Sequence, residues 1–146
     1  NNWVSDFIKS RRGCIMKYLL DTNTIIYWWK GNTNIEKRIL KDGINNVAVP
    51  YIVISELYFG AYNSQRITEN IQKINEFVQA VNIINSNTSM MKTFGAIKSK
   101  LRAEGKIIDD ADLYIASAAM EYELILVSNN TKHFQNIQEL MIDNWV

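Results

Sequence analysis

Along this chain, short wholly apolar runs alternate with longer segments of helical periodicity. Residues 18–20 (YLL), 47–49 (VAV) and 124–127 (LILV) are too short for helices. They also lack the every-other-residue polarity of a half-exposed strand, which predicts strands buried on both faces. Residues 81–84 and a weak segment near Met141-Ile142 extend the series. Between them, spacings of three and four predict helices over 24–30, 34–41, 51–64, 67–80 and 88–104. Another begins near Asp109, and a short final one surrounds His133-Phe134. The inward faces expected are Ile35, Ile39 and Leu40; then Ile52, Leu57, Phe59 and Ala61; then Ile67, Ile71, Ile74 and Phe77 or Val78. They continue with Met91, Phe94, Ile97 and Leu101, and end on the small-residue face Ile115, Ala116, Ala118, Ala119 and Tyr122. Segment 24–30, with Trp28 and Trp29, is apolar almost all round and is expected to be buried on more than one side or at a subunit contact. Strand–helix alternation without long loops predicts an α/β domain, with a central parallel sheet of about four to five short strands flanked by helices on both faces.

The polar residues that interrupt this pattern carry the candidate chemistry. Asp21 closes the first strand, and in open α/β sheets ligands bind at the carboxyl edge. Asp21 or Thr22 also suits the cap of the next helix, so this position alone leaves both roles open. Glu56 stands among Ile54, Leu57, Tyr58 and Phe59, where an unpartnered carboxylate is unfavourable; a place on the polar stripe is the plainer explanation. Asp109, Asp110 and Asp112 crowd one helix start, beyond what capping needs, and repel one another. Residues 124–127 lead into Ser128, Asn129 and Asn130. If these ends converge, Asp21, Glu56, Asp112 and Asn130 line one crevice. Oxygen ligands of that kind suit Mg²⁺ or Mn²⁺, whereas zinc prefers His and Cys, of which the chain has one each.

Composition narrows the setting. The 146 residues, 47% hydrophobic, suffice for one domain with a real core. A formal net charge of +1 advertises no global nucleic-acid field, so any such contact is local. The single Cys14 rules out an internal disulfide framework and fits a cytoplasmic protein. No apolar run approaches the roughly 18–20 residues that span a bilayer. Residues 1–15 carry Trp3, Phe7 and Ile8 at helical spacing, followed by Lys9, Arg11 and Arg12. This leader is expected to be a segment apart from the domain at 16–146, whether an artefact, read-through or a fusion.

Four stretches in order then match a family: LLDTN at 19–23, ISELYFGA at 54–61, GKIIDDADLYIA at 105–116 and LVSNNTKHF at 126–134. With the closing Ile142 to Trp145, they make the chain resemble the PIN-domain ribonucleases, in detail the VapC toxins of type II toxin–antitoxin systems. The resemblance implies that Asp21, Glu56 and Asp112 are the metal-binding catalytic acids. The fourth position, often Asp in PIN domains, falls on Asn130 or its neighbour Asn129, which leaves the ion resting on three carboxylates. Asp110, Asn23 and Ser128 are expected to support the site.

The implied activity is Mg²⁺-dependent endoribonuclease cleavage of a structured RNA such as tRNA, which inhibits translation. Lys98, Lys100, Arg102, Lys106 and Lys132 are the basic residues expected to hold RNA phosphates. Implied partners are a VapB-type antitoxin and a second copy of the chain, the dimer contact falling on the Trp28-Trp29 helix or on 67–80. The aromatic-then-Arg composition of 1–15 resembles an antitoxin tail, expected to dock in the groove. Two rivals remain. One is a non-catalytic PIN-fold module that binds RNA or protein, kept open by Asn130. The other is a phosphatase-like domain with Asp21 as nucleophile, opposed by Asn23 where that chemistry needs a second Asp.

Overall fold

Residues 18–20, 47–50, 82–84, 125–127 and 142–143 form strands β1 (Tyr18–Leu20), β2 (Val47–Pro50), β3 (Asn82–Ile84), β4 (Ile125–Val127) and β5 (Ile142–Asp143). In the computed structural model, which describes residues 16–146, they join into one parallel sheet in the order β3-β2-β1-β4-β5. The leader 1–15 lies outside the described residues, and with it Cys14 and the antitoxin-tail expectation. Leu19 faces Ala48 on one side and Leu126 on the other, so β1 is the central strand. Leu19, Leu20, Val47, Ala48, Val49, Leu126 and Val127 are fully buried, the signature of strands covered on both faces.

The helices are α1 (Thr22–Trp29), α2 (Thr33–Asp42), α3 (Tyr51–Tyr62), α4 (Ile67–Ala80), α5 (Thr88–Ala103), α6 (Asp110–Glu121) and α7 (Thr131–Phe134). Their starts follow ordinary capping. Asn32 accepts from the Ile35 amide at 3.1 Å and Asn87 from the Met90 amide at 2.9 Å. The small residues of α6, from Ala116 to Ala119, are all buried and let it pack closely on α5. No helix among the described residues is long and apolar enough to cross a membrane.

Three expected inward residues point outward. Leu40 is 76% exposed, Phe59 71% and Met91 53%. In each case the helix is phased on an adjacent stripe. Ile35 and Ile39 hold α2 in place, Val53, Ile54, Leu57 and Ala61 hold α3, and Met90 and Leu101 hold α5. Leu40 and Met91 stand one residue, about 100° round the axis, from Ile39 and Met90, and Phe59 stands two residues, about 200°, from Leu57 and Ala61, so each falls off the buried stripe. Ile67 is likewise exposed at the first residue of α4. Trp28 and Trp29, both partly buried, pack edge-on against Phe77, at 6.0 and 5.2 Å between ring centroids.

The last residues are fastened to the sheet by aromatic and ionic contacts. Trp145 is buried and meets Tyr18 edge-on at 4.8 Å, while its Nε1 donates to Asp143 at 3.1 Å. The Arg38 guanidinium lies 4.8 Å from the Trp145 ring centroid, within cation–π range, and donates to the Tyr18 hydroxyl at 3.1 Å. Because Trp145 is large, buried and partnered, Trp145→Ala is expected to cost about 3–5 kcal/mol. Urea unfolding would show a lower midpoint with an unchanged slope; an unmoved midpoint would contradict this role.

Candidate active site

In this sheet the chain runs outward from β1 to β2 and β3, then returns to place β4 on the other side of β1. The gap at the carboxyl ends of β1 and β4 is therefore the topological switch point, where an open α/β sheet leaves a crevice. Asp21 leaves β1 directly into this crevice and is only 6% exposed. Its amide donates to the Val127 carbonyl at 3.2 Å, which fixes the backbone to β4. Its Oδ1 accepts from the Thr24 amide at 2.8 Å and its Oδ2 from the Ser128 hydroxyl at 2.6 Å. Thr24 in turn donates through Oγ1 to the Val127 carbonyl at 3.1 Å. Asp21 is thus the cap of α1 and a member of the crevice at once; the two roles do not compete.

Glu56 reaches the same place from α3. Burial is the main cause that raises its pKa, and the charges of Asp112 and Asp21 push it further. The nearby Thr22 hydroxyl opposes the shift without making a well-directed hydrogen bond. Glu56 Oε1 and Thr22 Oγ1 are in fact both buried without a hydrogen-bond partner. Asp112, the third residue of α6, is raised first by burial and then by the charges of Asp109 and Asp21. Its Oδ2 lies 3.0 Å from His133 Nδ1, and that contact works in the opposite direction. Three carboxylates on three elements therefore feel one another's charge in a poorly solvated crevice. Among the described residues, no three His, Cys, Asp or Glu groups are gathered tightly enough to hold an ion as they stand. The donors that could close on one are Asp21, Glu56 and Asp112. Their all-oxygen chemistry and the unpartnered Glu56 oxygen fit a hard divalent cation.

The other expected residues divide. Ser128 is fully buried and bonds Asp21 through its hydroxyl. Asn130 stands at the start of α7 with its side chain against His133 Nδ1 at 3.0 Å rather than toward Asp21. Asn23 is exposed on α1. Asp110 is paired with Lys98 at 2.8 Å, which ties the start of α6 to α5. Lys106 pairs with Glu104 at 3.3 Å. Lys100, Arg102 and Lys132 are exposed and make no ion pair among the described residues. His133 is the functional candidate that sequence reasoning passes over. Its signal is present in NTKHF, three residues beyond Asn130 on the turn after a buried strand. Glu56 also borders an open groove of about 500 Å³ between α1, α3 and α4, lined by Trp29, Leu57, Ala61, Lys73 and Ile74 among others.

Comparison with known proteins gives one consistent answer. A PIN domain profile matches residues 18–140. The chain is 35% identical over 132 residues to "Ribonuclease VapC2" of Haemophilus influenzae, covering 90% of this chain and 100% of that protein. It is 26% identical over 131 residues to "tRNA(fMet)-specific endonuclease VapC" of Shigella flexneri, covering 90% of this chain and 99% of that one. Among solved structures, VapBC2 from Rickettsia felis bound to a promoter DNA fragment superposes with a TM-score of 0.82 at 31% identity. That match covers 90% of this chain and all of the other.

The raised pKa values of Glu56 and Asp112 fix the sign of a stability effect. The folded state holds these protons more tightly than the unfolded state, so stability is gained as pH falls through the raised values and lost as it rises. In EDTA, Glu56→Gln removes a repelled, half-buried charge. It is expected to raise Tm near neutral pH and to flatten the dependence of Tm on pH above the ordinary carboxylate range. Thermal scans of both proteins from that range to neutral pH check this; a Tm lowered by several degrees would refute it.

Proposed function

Since this chain belongs to the PIN-domain family and, within it, to the VapC ribonucleases, we propose that it is a metal-dependent endoribonuclease toxin of a toxin–antitoxin system. Its action is hydrolysis of phosphodiester bonds in a structured RNA, tRNA foremost, with arrest of translation as the consequence. One observation supports the reading: Asp21, Glu56 and Asp112, from three separate elements, lie within range of one another's charge, with an unpartnered buried oxygen on Glu56.

Each acid has a distinct part in that reading. Asp21, locked by Thr24 and Ser128, supplies a fixed carboxylate. Glu56 and Asp112 complete a cluster whose charge a Mg²⁺ or Mn²⁺ ion would neutralise. Such an ion supplies activation of a water for in-line attack and stabilisation of charge on the phosphate. Without it, three carboxylates repel an RNA backbone. Lys100, Arg102 and Lys132 are the basic side chains left open to flanking phosphates, whereas Lys98 and Lys106 are already paired. A VapB-type antitoxin and a second copy of the chain are the proposed partners. Likeness to the Shigella flexneri tRNA(fMet)-specific endonuclease supports tRNA as the substrate, and likeness to the Rickettsia felis VapBC2 structure supports the antitoxin.

The test is cleavage of a total tRNA pool by the purified protein with Mg²⁺ or EDTA, beside Asp21→Asn and Asp112→Asn. Discrete fragments are expected with Mg²⁺ alone, and activity is expected to fall by at least about a hundredfold in both variants. Cleavage that survives EDTA and both substitutions would overturn the assignment. A folded protein that binds RNA without cutting it would support the non-catalytic module instead. In RNA binding titrated against salt, Lys100→Ala and Arg102→Ala are each expected to lower the slope of log K against log[salt] by about 0.7–1, and Lys98→Ala by less. Equal effects at all three positions would refute the division between paired and open lysines.

A further inference from the structure

Asp21 and Asp112 come from different parts of the fold, and like charge drives them apart. A continuous line of polar contacts nevertheless joins them, all of it contributed by residues 128–133. Ser128 Oγ donates to Asp21 Oδ2 at 2.6 Å and accepts from the Asn130 amide at 3.0 Å. The Asn130 side chain meets His133 Nδ1 at 3.0 Å, and the same ring nitrogen lies 3.0 Å from Asp112 Oδ2. Both ends of the line are anchored. Ser128 is fully buried and its amide donates to the Asp143 carbonyl at 2.9 Å, while Phe134, next to His133, is buried in the core.

The proton on the ring follows from simple repulsion. A bare Nδ1 at 3.0 Å from an ionised Asp112 oxygen would set two lone pairs against each other. A hydrogen on Nδ1, directed at Asp112, is the assignment that removes this repulsion. Asn130 is placed with Nδ2 toward that nitrogen at 3.0 Å, and exchange of the amide's O and N, which share one outline, lets Oδ1 accept a share of the same N–H. Held at Oδ2, Asp112 keeps Oδ1 for a ligand.

We propose that Ser128, Asn130 and His133 form a clamp that sets the separation of Asp21 and Asp112, with His133 as the residue that positions the Asp112 carboxylate. The inference rests on the assignment of those two acids to a divalent cation. It gives Asn130 a different part from that of a fourth ligand: its side chain steadies the imidazole. Hydrogen-bonded supports of this kind commonly change metal affinity by about 10–100-fold when removed.

Mn²⁺ binding to the full chain, followed by isothermal titration calorimetry without RNA, tests the clamp independently of cleavage. His133→Phe keeps an aromatic ring, somewhat larger, at a partly exposed position and removes the donor. It is expected to weaken Mn²⁺ binding about 10–100-fold while the Tm in EDTA stays within a few degrees of wild type. His133→Asn places an amide N–H where Nδ1–H stands and is expected to recover most of the affinity. Asp112→Asn gives the floor. Binding by His133→Phe equal to wild type would overturn the clamp while leaving the metal assignment intact. Failure of His133→Asn to improve on His133→Phe would overturn the role of the Nδ1 donor. Wild type no better than Asp112→Asn would overturn both the clamp and the assignment beneath it.

Discussion

The structure turns on how one buried carboxylate is held. Asp21 sits at the end of the central strand, almost shielded from water. Burial of a charge in such a place is tolerable only with strong hydrogen bonds. Two are supplied, by the Thr24 amide and the Ser128 hydroxyl, and each comes from a neighbour that is itself tied to β4. The first turn of α1, the register of β1 against β4 and the path after β4 are thereby joined around one side chain. Removal of any one of these would leave another polar group buried without a partner.

Glu56 and Asp112 are placed against that fixed point under strain. Burial and like charge oppose both, and a Glu56 oxygen is left without a hydrogen bond. Such an arrangement lowers stability and has no packing rationale. Under the function proposed above, its reason is the cation: a cluster already relaxed by internal hydrogen bonds would gain little from one. The fold sacrifices stability at this point and recovers it elsewhere, in the fully buried strands and the Tyr18–Arg38–Trp145 contact.

Much of this is legible in the sequence because the relevant signals are local. Runs such as LLD and LILV mark doubly covered strands with little ambiguity, and their order predicts the parallel sheet. Asp21 stands out at the end of an apolar strand, Glu56 among apolar neighbours and Asp112 in a crowded acidic turn. The errors of helix phase at Leu40, Phe59 and Met91 have a physical origin. In helices with apolar residues on several sides, periodicity admits two neighbouring stripes, and only tertiary contacts choose between them. The pairing of Lys98 with Asp110 is hidden for a related reason. On sequence alone each looks available, one for RNA and one for the metal site, although α5 and α6 bring them together. His133 carries no periodic signature at all; its meaning depends on Asp112, which arrives from another helix.

The strand order also bears on the birth of the protein. During synthesis β1 is made early, yet its partner on one side, β4, is separated from it by β2, β3 and most of the helices. The hydroxyl that satisfies Asp21 lies 107 residues further along the chain. Contacts that distant form late and slow folding, because the intervening loop must close first. A nascent chain on the ribosome can therefore build the β1–β2–β3 half but not the crevice. Under the function proposed above, the ribonuclease would in this way stay inert beside the machine that makes it, until its own C-terminal third has emerged.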